Sequence, residues 1–147
     1  MSELPILQKT YDFVKWYVPI LNHLPKHHKY LLGDRLITNL YDFLETLVDA
    51  QYQHEKLETL AKLNRQLEVI RYQTRLLHDF KAMRVQRYEN VSKLMNEIGT
   101  DLGGWIRQQK HRSTGNTVDK PIDKTVTKLV KKVEQPTWNA MAISIQK

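Results

Sequence analysis

LETLAKLNRQLEVIRYQTRLLHDFK, residues 57–81, is the stretch whose reading decides the fold. Leu60, Leu63, Leu67, Ile70 and Leu77, with Thr74 filling the gap, recur at alternating steps of three and four, which stacks them along one side of a helix. A side that apolar must be buried against other elements. The rest of the surface is assigned Lys62, Arg65, Arg71, Arg75 and Lys81, and Arg71 and Arg75 stand four apart, close enough to reach toward one partner. A single helix thus offers a core stripe and an expected cationic ridge.

Reading outward from that helix, the same three-four pattern occurs three more times. Toward the N-terminus, Ile6, Thr10, Phe13, Tyr17, Ile20 and Leu24 predict a first helix from about Pro5 to Leu24. Ser2 is its expected cap, and Pro19 is expected to bend it without breaking it. Leu32, Leu36, Leu40, Phe43, Leu47 and Ala50 predict a second helix from about His28 to Gln51, with Leu31, Ile37, Leu44 and Val48 widening its stripe. Gly33 in its first turns weakens a helix by about 1 kcal/mol relative to alanine, so a close approach by another helix is expected there. Beyond the 57–81 stretch, Tyr88, Val91, Met95, Ile98, Leu102 and Trp105 predict a fourth helix. Gly99 and Gly103 on it are expected to admit a tight helix contact, while Gly103 and Gly104 are expected to loosen its end. Four helices of about 20 to 26 residues, each roughly 30 to 40 Å long, predict an all-α, up-down antiparallel four-helix bundle over residues 1–110.

From His111 the composition turns to HRSTGNTVDKP, read as a linker, so residues 111–147 are expected to form a linker and a basic tail. Val126, Leu129, Val130 and Val133 fit one helical face, yet the β-branched residues of DKTVTKLVKKV also suit a strand. Trp138, Met141, Ile143 and Ile145 end the chain on an apolar patch in need of a groove. The tail carries a net charge of +4 and residues 1–110 a net charge of +3, out of +7 for the chain.

A 147-residue chain buries roughly 70% of its unfolded surface, enough for one core. Its excess of cations favours an anionic partner, because Lys and Arg attract phosphate and displace condensed counterions. With no cysteine, disulfides, thiolate metal sites and cysteine nucleophiles are excluded. No apolar run approaches the roughly 18 residues of a membrane span, and the N-terminus lacks signal-peptide character, so a cytoplasmic location is expected. Phosphate-cradling glycine loops, zinc-protease helices and nucleophile elbows are missing from the sequence. His23, His27 and His28 are interrupted by Pro25, which spoils ligand spacing, so no metal site, cofactor or catalytic residue is expected.

The segments LPILQKTYDFVKWYVPIL, LLGDRLITNLYDFLETLVDAQY, LEVIRYQTRLLHD and RYENVSKLMNEIGTDLGGWI, in this order between about Leu4 and Arg107, carry a resemblance. The chain resembles the small four-helix-bundle proteins related to those encoded in 23S rRNA intervening sequences. Within these it is most similar to the accessory variability (Avd) proteins of diversity-generating retroelements. The resemblance implies a non-enzymatic partner of a reverse transcriptase that binds RNA, and DNA as well, and assembles as a homo-oligomer, a pentameric ring, in support of mutagenic retrohoming. Five copies would carry +35, five times the chain's +7.

Candidate binding residues for nucleic acid or the reverse transcriptase are Lys62, Arg65, Arg71, Arg75, Lys81, Arg84, Arg87, Arg107, Lys110, Lys128, Lys131 and Lys132. The bland reading of Arg71 and Arg75 pairs them with Glu68 and Asp79. Arg84 and Arg87 sit where a helix dipole disfavours cations, which hints at an outside anion. The cations left over from packing are expected to gather into one continuous path. Contact with about six phosphates would make log K fall against log salt with slope near −5, or near −4 for single strands. Two other classes compete with this one. Arg71 and His78 form an R-x6-H pair like that of HEPN-type RNases, although Tyr72 replaces the usual polar residue, and the basic tail could lie on a membrane surface.

Overall fold

The computed structural model of the chain describes residues 4–115. Ser2 as a cap, the tail's helix-or-strand alternative, its apolar end and Lys128, Lys131 and Lys132 all lie outside these residues. In chain order the elements are α1 (Pro5–Asn22), a single turn α2 (Lys26–His28), a π-helical turn (Lys29–Gly33), α3 (Asp34–Tyr52), α4 (Leu57–Asp79) and α5 (Val85–Gly115). The described residues are all-α and form a helical bundle. Around it the order is α1, α3, α4, α5, with α5 returning against α1.

The core is the set of stripes expected from the periodicity. Tyr17, Leu21, Leu36, Leu40, Leu47, Leu60, Leu63, Ile70, Leu77, Ile98 and Leu102 are all buried. Across the middle, the Tyr17 hydroxyl and Thr74 Oγ1 share a 2.8 Å hydrogen bond, which explains how two polar positions are tolerated in the stripes. Burial pushes the Tyr17 hydroxyl well above its ordinary pKa. Along the flanks, Lys9 pairs with Asp101 at 2.9 Å between α1 and α5, and Asn39 donates to Gln73 at 2.9 Å between α3 and α4.

Several local expectations change. Helix α1 passes through Pro19 and stops at Asn22, two residues short of Leu24, and the His23 Nδ1 lies 2.6 Å from the Pro19 carbonyl oxygen. The second helical stretch begins at Lys26 rather than His28, because the Pro25 carbonyl already accepts from the His28 and Lys29 N–H groups and closes the α2 turn ahead of the π turn. Gly33 ends that turn, and a Cβ there would stand 3.3 Å from both the His28 carbonyl and Leu24 Cδ1. The close approach is therefore real, but it involves the preceding connection rather than a distant helix. Leu31, expected beside the core, is exposed because the wider π turn rotates it outward.

At the other terminus, HRSTG is helical as far as Gly115 rather than part of a linker. Gly103 and Gly104 do not end the helix, since Trp105 and Ile106 on the next turn are buried and hold it in place. Of the two glycines expected at a tight contact, Gly99 alone makes one. A Cβ at Gly103 would approach only Arg107 of its own helix, at 4.0 Å.

Candidate nucleic-acid interface

Two chain reversals meet at one end of the bundle, one between α1 and the π turn, the other between α4 and α5. The second is a Schellman closure, in which the Ala82 N–H donates to the Leu77 carbonyl at 2.8 Å and the Lys81 N–H to the His78 carbonyl at 2.9 Å. That motif demands a left-handed residue, and here it is Lys81, with φ of 63°, rather than the usual glycine. Met83 then turns into the core, and α5 starts with the Tyr88 N–H bonded to the Arg84 carbonyl at 2.9 Å.

The reversal projects Lys81, Arg84 and Arg87 into solvent. Beside them, residues 23–29 bring His23, Lys26, His27, His28 and Lys29, and the His28 ring stacks on Phe80 at 5.8 Å. Between the two reversals is an open cavity of about 420 Å³, with a floor of Ile20, Leu24 and Met83 and a rim of His23, Arg84, Arg87 and Asn90. The first turn of α5 holds no acid, so its exposed N–H groups add positive potential to that of the arginines. An apolar floor under a cationic rim suits a phosphate with a flat, weakly polar group attached. Lys26 and Lys29, which spacing alone did not single out, join this cluster because the connection folds back over the α4–α5 turn.

The expected ridge on α4 does not form. Lys62 and Arg65 are exposed, but Arg71 is buried, with Nη2 donating to the Met95 carbonyl at 3.2 Å and Nη1 pairing with Glu68 at 3.3 Å. A Cβ at Gly99 would lie 2.7 Å from Arg71 Nη2, so the missing side chain of Gly99 is what makes room for the guanidinium. Burial lowers the Arg71 pKa to about 10, with Glu68 opposing the shift. Arg75 is half-buried and lies 3.8 Å from Asp79. Arg71 and Arg75 thus follow the pairing of the bland reading and do not reach one partner together. His78 is also engaged in packing, its ring stacked on Tyr88 and its Nδ1 3.2 Å from the Met83 carbonyl. This leaves the R-x6-H pair bound into the α4–α5 seam.

Arg107 and Lys110 stand at the opposite end, about 30 Å from Arg87 at 1.5 Å per residue. Among the described residues, the single continuous cationic path expected from sequence is instead two terminal groups and a stretch of α4. At that far end, sequence reading missed Lys56. Its Nζ donates to the Ala50 and Gln51 carbonyls, both at 2.8 Å, and lies 5.8 Å from the centre of the Trp105 ring. Lys56 therefore caps α3, and its pKa is lowered, first by burial and then by Arg112. A lysine a few residues past a helix end is the sequence signal for this role. Trp105 is buried, whereas Trp16 is partly exposed with its ring centre 6.4 Å from that of Phe13 and 6.2 Å from that of Tyr17.

Among the described residues no helix is long and apolar enough to cross a membrane, and no group of three or more His, Cys, Asp or Glu could hold a metal ion. Residues 4–109 match the family model described as bAvd-like. No curated protein matches the chain.

Proposed function

The chain belongs to the bAvd-like family, and on that premise we propose that it is the non-enzymatic accessory subunit of a diversity-generating retroelement. In this reading it binds the retroelement's reverse transcriptase and its template RNA or the resulting cDNA. It acts as a homo-oligomer, a pentamer by resemblance, and supports mutagenic cDNA synthesis by holding partners together rather than by performing chemistry. The observation that carries the proposal is the family match over well more than half of the chain. The cation-rich end supports it physically: Lys81, Arg84 and Arg87, with Lys26 and Lys29, offer phosphate contacts without a base-reading element. Arg107 and Lys110 supply a second contact at the far end, and Lys128, Lys131 and Lys132 are further candidate contacts that add to the positive charge of the chain. Arg75, half-buried beside Asp79, has a lesser part.

The test is co-expression with the reverse transcriptase encoded beside this chain. A stable complex that retains RNA and loses it on Arg84→Glu with Arg87→Glu is the expected result. Failure to co-purify with the enzyme at low salt would overturn the proposal.

A further inference from the structure

Two outer surfaces of the bundle carry more apolar side chains than a solvated face needs, one flanked by bases on α4 and the other by acids on α3. On α4, Val69, Tyr72 and Leu76 are exposed and lie with Lys62 and Arg65 in an arc of about 80° facing away from the core. Glu58, at the start of α4, is the single acid in that arc.

The second surface is the groove between α1 and α3. Tyr41, Val48 and Tyr52 fall within about 40° of one another on α3, and Asn39, which bonds to α4, is about 160° from Tyr41. The three therefore face the α1 side. On α1, Tyr11 is likewise about 160° from Lys9, which pairs with α5, so it faces α3. These four residues are between 42% and 80% exposed and share the side of the bundle where α1 meets α3. On the side of the strip away from α1 run the exposed Asp42, Glu45 and Asp49, with Arg35 the only base on α3, while the exposed Lys15 of α1 stands about 40° from Tyr11.

We propose that these are the two halves of one subunit contact, the outer seam of α4 from one copy seated on the α1–α3 groove of the next. Lys62 and Arg65 of one copy then face Asp42, Glu45 and Asp49 of its neighbour. A partner of unrelated charge would match one surface but leave the other uncovered. A second copy matches both, because each chain supplies the complement of its own other face. The contact joins different patches, so it is heterologous and propagates head to tail until rotation closes a ring. This deepens the oligomer part of the proposed function and rests on that part alone. It assigns Lys62 and Arg65 to assembly, leaving the cations at the ends of the bundle for nucleic acid.

The test measures the mass of the full-length protein by light scattering. Lys62→Glu with Arg65→Glu, and separately Glu45→Lys with Asp49→Lys, are each expected to lower self-association at least 10-fold. All four substitutions sit on exposed positions, and unchanged helicity by circular dichroism establishes that each variant folds. The quadruple variant reverses both faces at once and is expected to regain the mass of the parent. If neither double variant changes the mass, or the quadruple variant fails to reassemble, this contact is wrong while the oligomer reading stands. If the parent protein is itself a monomer at every concentration, the oligomer reading falls, and this contact with it.

Discussion

Arg71 reads from sequence as a surface cation, yet the tertiary structure places it under α5 against Gly99. A pKa lowered to about 10 corresponds to a net penalty on the charged guanidinium on the order of 3 kcal/mol, burial outweighing the opposing Glu68. Arg71→Met is therefore expected to leave stability unchanged or raise it, and to leave nucleic-acid affinity unchanged. Gly99→Ala is expected to destabilise by about 1–3 kcal/mol through overpacking against the guanidinium. Combining the two should recover most of that loss, and a double-mutant cycle from urea denaturation checks the coupling. Lys81 is the converse case. Lys81→Gly relieves a left-handed residue and is expected to stabilise by about 1 kcal/mol while weakening RNA binding, the two read by melting temperature and a mobility shift. A stabilised variant with parental RNA affinity would remove Lys81 from the interface. Tyr17 gives a pH signature. Its folded pKa is raised above the ordinary 10.0, so the folded state keeps a proton that the unfolded chain gives up. Its contribution is fully present below pH 10 and is lost as pH rises beyond it. Tyr17→Phe is expected to flatten the alkaline fall in melting temperature above that pH.

At the scale of elements, the four long helices were legible because their apolar residues repeat at three and four over five or more turns. Their ends were less so. The π turn at Lys29–Gly33 has no periodic signature, since one residue of extra winding shifts phase without changing composition. The extension of α5 through HRSTG ran against composition: Ser113 and Thr114 donate their hydroxyls to backbone carbonyls one turn back, which keeps these poor helix formers within the helix. The end of α3 depends on Lys56, a cap supplied from beyond the helix. Lys56→Ala is expected to destabilise by about 1–2 kcal/mol, since two carbonyls lose a charged donor, with the loss read as a lower urea midpoint. Lys56→Arg should preserve more stability than Lys56→Ala if the hydrogen bonds, rather than the aliphatic stem, hold the turn.

For the whole molecule, the distribution of charge matters more than its total. Binding dominated by phosphate contacts should weaken with salt along a slope near −5 for duplex, or near −4 for single strands, given about six contacts. Arg84→Glu with Arg87→Glu removes two contacts at one end and should make the duplex slope shallower by roughly 2, measured by titrations at several salt concentrations. A slope unchanged by that pair would move the interface to the other end of the bundle. Little sequence preference is expected, because the cations stand on helix ends and turns without an element shaped for a groove.

The sequence by itself determined the helices, their amphipathic faces, the all-α bundle and a family resemblance, because each is written in local spacing and order. Only the tertiary structure decided which cations stay in water. Lys62, Arg65, Arg71 and Arg75 share one helix, but what each meets depends on the neighbouring helices: Gly99 makes room for Arg71 at the α4–α5 seam, while Lys62 and Arg65 face outward. The meeting of residues 23–29 with residues 81–87 was likewise beyond sequence, since it joins two turns more than fifty residues apart, and nothing in local periodicity encodes which chain reversals share an end of the bundle.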